Sequence, residues 1–135
     1  IVGVSGYAVR PPRVRKEKPR VSAFTSADLP KIFALDPDLV LTFSDLQAGI
    51  AADLIKAGVA VHAFNQRDIA GILAMIQVLG ALVGASERAA VLARDLGQRI
   101  DAVAGIRSRE PPVRVYFEEW DEPMISGIGW VSELI

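Results

Sequence analysis

At 135 residues, with 51% hydrophobic and 23% charged side chains, the chain has the composition of one packed α/β domain rather than a disordered tail. Its net charge of -1 gives no general attraction to nucleic acid, and the lack of cysteine excludes disulfides and thiolate chemistry. No apolar run approaches the roughly 18 residues needed to cross a bilayer, so any partner must be recognised locally.

Ile1 to Ser5 reads as a short buried strand that runs into a turn at Gly6 and Tyr7. Arg10 to Arg20 then carries Arg10, Arg13, Arg15, Lys16, Lys18 and Arg20 together with Pro11, Pro12 and Pro19, which predicts an exposed irregular loop. Two readings of its charge stand. It is a solvated loop, or it is a basic patch for phosphate or an acidic partner, a role weakened by the prolines and by the lack of interleaved aromatics.

Val21 to Phe24 is a second strand, and Thr25, Ser26 and Asp28 are candidate caps for a helix through Leu35 with Leu29, Ile32, Phe33 and Leu35 facing inward. Pro30 fits the first turn of that helix and Pro37 marks its end. Asp38 to Phe43 is an almost continuous apolar run, the pattern of a parallel strand covered on both faces. Ser44 and Asp45 open the next helix, which has Leu46, Ile50, Leu54 and Ile55 on one side and stops at Gly58; Val59 to Phe64 is the strand after it. Strand, helix, strand, helix, strand with short connections predicts right-handed parallel crossovers in an open, Rossmann-like sheet.

The stretch from Asn65 to Ser108 is a long helical arm. In its first half Ile69, Ile72, Leu73, Ile76, Leu79 and Val83 recur at spacings of three and four, which places them on one face. Gly84 can stop this helix and Ser86 can cap the next, whose apolar stripe is Leu92, Leu96, Ile100 and Val103. At about 1.5 Å per residue the run from Glu87 to Arg107 would be roughly 30 Å long, a rod able to brace two lobes. Val113 to Trp120 returns to strand character, and Trp130 to Ile135 begins a last helix. The expected organisation is an α/β lobe over 1–65, a helical connector over 66–109 and the start of a second lobe over 110–135, with the first strand of that lobe following the connector.

Chemical motifs are sparse. His62, the single histidine, lies in a predicted strand with no second imidazole or thiol to share a metal, the setting of a packed or hydrogen-bonded histidine. Gly3 and Gly6 do not form a dinucleotide fingerprint, and no phosphate-loop pattern occurs. Glu118, Glu119, Asp121 and Glu122 cluster at a strand end, where they could serve as a carboxylate pair for glycoside hydrolysis, as ligands for a hard cation, or simply as a polar turn. Adjacent residues on a strand point to opposite faces, which weighs against Glu118 and Glu119 acting together.

The aromatic residues are more informative. Ligands of open α/β sheets sit beyond the carboxyl ends of the strands, and Tyr7, Phe24, Phe43, Phe64 and Trp120 fall at or just after those ends. Thr25, Ser26, Ser44, Asp45 and Asn65 follow as hydrogen-bonding groups, so the pattern suits an apolar pocket with a few polar contacts. Phe64 and Phe43 can equally be rings that close the core, whereas the polar atoms of Tyr7 and Trp120 favour partly wet positions.

The segments Val2-Gly-Val-Ser-Gly-Tyr7, Val21-Ser-Ala-Phe-Thr-Ser26, Asp38-Leu-Val-Leu41, the long helical arm and Val115-Tyr-Phe-Glu-Glu-Trp-Asp-Glu-Pro123 together resemble the cobalamin and iron-siderophore substrate-binding proteins of ABC importers. The resemblance covers nearly the whole chain in order, and the strand ending in Trp120 and Asp121 is most similar to the cobalamin-type branch. It implies two α/β lobes joined by a rigid helix, a ligand held in the cleft between lobes, and delivery to a membrane permease outside the cytoplasm. Tyr7, Phe24, Thr25, Phe43, Ser44 and Trp120 match the cleft-lining positions, and Ser26, Asp45 and Asp121 join them as candidate ligand contacts. Members also have a strand and helix before the position of Ile1 and a complete lobe after Ile135, so the chain is expected to be truncated at both ends and to self-associate through its cut edges. Gln47, Ala48 and Gly49 stand where an acidic transporter-docking residue is expected.

The resulting expectation is a non-enzymatic carrier of a corrinoid such as cobalamin, with no resident cofactor or metal and no nucleic-acid partner. A ferric-siderophore or haem carrier is the close alternative. A hydrolase built on the carboxylates of 118–122 and a self-associating fragment that binds nothing are the alternatives of other classes.

Overall fold

The computed structural model describes residues 1–107, 111 and 113–135. They form two compact units, Ile1–Asn65 and Gln66–Ile135.

In Ile1–Asn65, short strands alternate with helices: β1 (Val4–Ser5), α1 (Val14–Glu17), β2 (Arg20–Ser22), α2 (Leu29–Ala34), β3 (Val40–Phe43), a 3-10 turn at Asp45–Gln47, α3 (Ala48–Lys56) and β4 (Val61–Phe64). β1 pairs with β2 and β3 with β4, both in parallel. Parallel neighbours need a crossover, which α1 supplies in the first pair and α3 in the second. The ladders therefore run as two pairs rather than through one sheet. At the end of β3 the Phe43 N–H donates to the side chain of Gln47.

The local signals explain these elements. Asp28 caps α2 by accepting from Lys31 N at 3.1 Å, and Pro30 sits in the first turn where its missing N–H is harmless. Gly58 ends α3 with φ +83, a backbone state that favours glycine. Leu54, 0% exposed, anchors α3 in the core with Ile32 of α2, and burying one such side chain contributes about 1.5–3 kcal/mol.

Several sequence expectations need correction in this unit. Arg10–Arg20 is not irregular throughout, because Pro11 and Pro12 precede a helical turn instead of interrupting it and Arg20 already belongs to β2. The Pro11 carbonyl accepts from Val14 N, and an Arg13–Glu17 pair spans the turn. Phe33, Leu46 and Ile55 are exposed, not inward. Leu46 falls in the 3-10 turn, so the regular helix begins only at Ala48, and Ile55 lies about 100° around the helix from buried Leu54. Leu41 is exposed as well, so β3 is not covered on both faces.

In Gln66–Ile135, α4 (Ile69–Leu82) and α5 (Ser86–Arg107) pack on each other as an antiparallel hairpin. The arm is two helices broken at Gly84, as the sequence implied, and the second folds back along the first. Asp68 caps α4 by accepting from Gly71 N at 2.6 Å, and Glu133 of α6 (Gly129–Leu134) accepts from Ile69 N at 2.8 Å. Two carboxylates at a helix N-terminus satisfy open donors and complement its dipole. Gly84 turns the chain with φ +69, and Ala85 N donates back to Gly80 O at 2.7 Å. The Ala85 carbonyl accepts from Ala89 N, so Ala85 holds the capping position expected for Ser86, which is the first helical residue.

The seam of the hairpin is made of small residues. Gly80 is buried, and a β-carbon there would overlap that of Ala89; further along, Gly97 faces Leu73. Ala85, Ala89, Ala93 and Gly97 recur every four residues, and Ala89 and Ala93 are buried whereas Leu92 and Val103 of the expected stripe are exposed. Val113–Glu118 belongs to no strand, and the strand expected there reduces to one antiparallel bridge between Trp120 and Ile125. Ser108, named as the end of the arm, lies outside the described residues. Among those described, no helix is long and apolar enough to cross a membrane.

Candidate functional site

The carboxyl ends of the strands in Ile1–Asn65 are tied together by a short series of hydrogen bonds. Gly6 N, just past β1, donates to Ser22 O of β2 at 2.7 Å. Beyond β2 the chain makes a tight turn: Ala23 N donates to Ser26 O at 2.9 Å and Ser22 bridges Ala27, which places Phe24 and Thr25 at the tip. The carboxamide of Gln47 then joins this turn to β3. Its Nε2 donates to Phe24 O at 2.7 Å and its Oε1 accepts from Phe43 N at 2.8 Å. Finally, Ser44 N donates to Phe64 O at 2.8 Å, which links β3 to β4.

Ser44 is the strained point in this series. It has φ +63 with ψ 170 in a residue that is not glycine, a conformation that costs of the order of 1–3 kcal/mol and persists only where its surroundings hold it. Its amide is bonded to Phe64, its Oγ accepts from Leu46 N at 3.3 Å, and its carbonyl accepts from Gln47 N at 3.3 Å. Ser44 is also buried, so it supports the strand end more than it presents a hydroxyl.

The sequence-predicted residues therefore separate into groups. Phe24, Thr25 and Ser26 share one exposed turn; Phe43 is half-buried, Ser44 is buried, and Asp45 is exposed at the start of the 3-10 turn. Tyr7, 71% exposed, follows Gly6, and its amide donates to Ser5 Oγ at 3.2 Å. Phe24 is 38% exposed, so these two rings offer free apolar surface while Phe43 closes the strand end. Ser22, Ala23 and Ser26 line an open depression beside this turn. His62 packs against Phe64 with ring centroids 4.4 Å apart, in keeping with the packed strand histidine that its position implied.

Trp120 and Asp121 belong to the other unit. The Trp120 indole is 60% exposed, and its Nε1 donates to Glu122 O at 2.9 Å, so the N–H is used within a short loop closed by Ile125. Asp121 accepts from Glu122 N, while Glu118 accepts from the Tyr116 hydroxyl at 2.6 Å. The Glu118 carboxylate beside it, with a smaller contribution from desolvation, raises the Tyr116 pKa above the ordinary 10.0. Among the described residues no group of three or more His, Cys, Asp or Glu side chains is placed to hold a metal.

Gln47 is the residue that sequence reading missed as a contributor to this site. Its signal was position alone: it stands three residues after the strand-end Ser44, within reach of both neighbouring carboxyl ends.

The sequence pattern of the periplasmic binding protein family matches residues 1–135. The chain belongs to that family. No curated protein matches it. Among solved structures, this periplasmic binding protein chain is similar to the periplasmic vitamin B12 binding protein BtuF of Vibrio cholerae, with a TM-score of 0.79 and 23% identity over 93% of this chain and 49% of that one. It is similar to an ABC transporter substrate-binding protein from Listeria monocytogenes EGD-e, with a TM-score of 0.71 and 25% identity over 82% of this chain and 43% of that one. A periplasmic heme binding protein from Pseudomonas aeruginosa has a TM-score of 0.69 and 23% identity over 82% of this chain and 41% of that one. The chain thus spans less than half the length of each of these structures. The shared fold is an α/β lobe of the periplasmic binding protein type.

Proposed function

We propose that this chain is part of the substrate-binding component of an ABC importer and that it captures a corrinoid such as cobalamin outside the cytoplasm and delivers it to a membrane permease. The observation that carries the reading is the set of strand ends of Ile1–Asn65, where exposed Tyr7 follows β1 and Phe24 shares a turn with Thr25 and Ser26 on a hydrogen-bonded frame. Aromatic faces cover planar apolar parts of a ligand, and hydroxyls meet its amide rim. None of the candidate contacts is basic and two, Asp45 and Asp121, are acidic, which favours a ligand with neutral polar groups over an anionic chelate. The vitamin B12 binding structure among the similar folds supports the same choice.

A haem or ferric-siderophore carrier is the second reading, favoured by the heme binding protein among the similar structures and by Arg10 and Arg13 on the exposed connection after Tyr7. We propose no reaction. The carboxylates of Glu118 and Asp121 are engaged within their own loop, which supports a polar turn over an acid and base pair.

Calorimetric titration of the full protein with cyanocobalamin, haemin and a ferric hydroxamate tests this, with light scattering on the same samples reporting self-association. Saturable cyanocobalamin binding that weakens about ten-fold or more in Phe24→Ala is the expected result. Binding of haemin alone, lost when Arg10 and Arg13 are neutralised, would transfer the assignment to the second reading.

A further inference from the structure

Gln47 has no free rotation of its carboxamide to spare. Oε1 accepts from Phe43 N and Nε2 donates to Phe24 O, 23 positions earlier in the chain, so one planar group connects the turn after β2 to the end of β3. Among the described residues no ladder hydrogen bond joins those two strands, which belong to separate parallel pairs, β1/β2 and β3/β4. The backbone of Gln47 is held in turn, because its N–H donates to the carbonyl of strained Ser44 at 3.3 Å. The geometry points to Gln47 as a positioning residue of the ligand-binding surface, one that acts by fixing the Phe24 turn against the end of β3 before ligand arrives. This rests on the carrier reading above.

The chemistry requires an amide. Both bonds need an acceptor and a donor at the two ends of one flat group, and glutamine supplies them without charge. A carboxylate keeps the acceptor for Phe43 N but turns an oxygen towards the Phe24 carbonyl, so it should release the turn without releasing β3. Protonation restores a donor. A turn that is already ordered loses less conformational freedom on binding, so the gain appears in affinity.

The test combines a ligand-free and a ligand-bound readout on the full protein with Gln47→Glu and Gln47→Ala. Amide hydrogen exchange should accelerate at residues 23–27 in both variants and at Phe43 chiefly in Gln47→Ala. Cyanocobalamin binding should weaken about ten-fold in both, with circular dichroism unchanged, and Gln47→Glu alone should regain affinity as pH falls towards the ordinary glutamate range of about 4. Equal loss in the two variants with no recovery in acid overturns the positioning role, as does unchanged affinity despite faster exchange. If the unmodified protein binds no corrinoid, haem or siderophore, the carrier reading falls and takes this role with it. If it binds and the variants bind equally well, only the role of Gln47 falls.

Discussion

The helical hairpin of Gln66–Ile135 and the strand ends of Ile1–Asn65 are held by opposite means. Along the hairpin, Gly80, Ala89, Ala93 and Gly97 bring two backbones together, so stability comes from close apolar packing repeated at helical spacing. At the strand ends, Tyr7 and Phe24 keep exposed surface while one glutamine and one strained serine fix the loops through hydrogen bonds to backbone. At Gly80 the first arrangement cannot accept an added methyl group. The second leaves the rings of Tyr7 and Phe24 with exposed apolar surface while Phe43 closes the strand end, which is what a binding surface requires.

Substitution at the hairpin seam should have the largest effect. Gly80→Ala gains about 1 kcal/mol of helix propensity but places a β-carbon into that of Ala89, so a net loss of about 2 kcal/mol is expected in urea unfolding. Gly105→Ala is the matched control: it is helical with open space around the added carbon, and it should raise stability by up to about 1 kcal/mol. Equal effects of the two would show that the seam is not tightly packed.

Removing a cap should cost less. Asp68→Ala leaves Gly71 N without its partner and should lower stability by about 1 kcal/mol in a thermal melt. The residual cap comes from Glu133, so adding Glu133→Ala should cost more in the double variant than in either single one.

At the strand ends the expected change in stability is smaller still. Tyr7→Ala should lie within about 0.5 kcal/mol of the unmodified protein, because the ring is mostly in solvent. A large loss would mean that the ring supports the fold and that the strand ends, like the hairpin seam, depend on apolar packing.

The smallest effect is confined to alkaline pH. The Tyr116 pKa is raised by Glu118, so the protonated phenol is favoured in the folded state. Its contribution is fully present below 10.0 and is lost as pH rises through the higher folded-state value. Phenolate absorbance should therefore show one late titration that moves down in Glu118→Gln and disappears in Tyr116→Phe.

Much of this architecture was legible from local signals. Asp28 with Pro30, Gly58 and Gly84 marked element ends because a cap, a ring and a positive φ act on the chain within a few residues. The burial of the helices was less legible, since the large residues Leu92 and Val103 pointed to one stripe while the packed seam used alanine and glycine. The aromatic ends of β1 to β4 could be named from position, and Ser44 was legible as the residue that opens the next helix, but nothing local signalled its burial or its positive φ.

By itself, then, the sequence determined the order and type of most elements, their terminating residues and the rings at or just after the ends of β1 to β4, because propensity, capping and periodicity are short-range effects. Only the tertiary structure decided that the long arm closes into a hairpin, that the strands pair in two sets, and that Gln47 joins those sets. Each of those outcomes depends on groups far apart in the chain finding shape or hydrogen-bond complementarity, which no local pattern encodes.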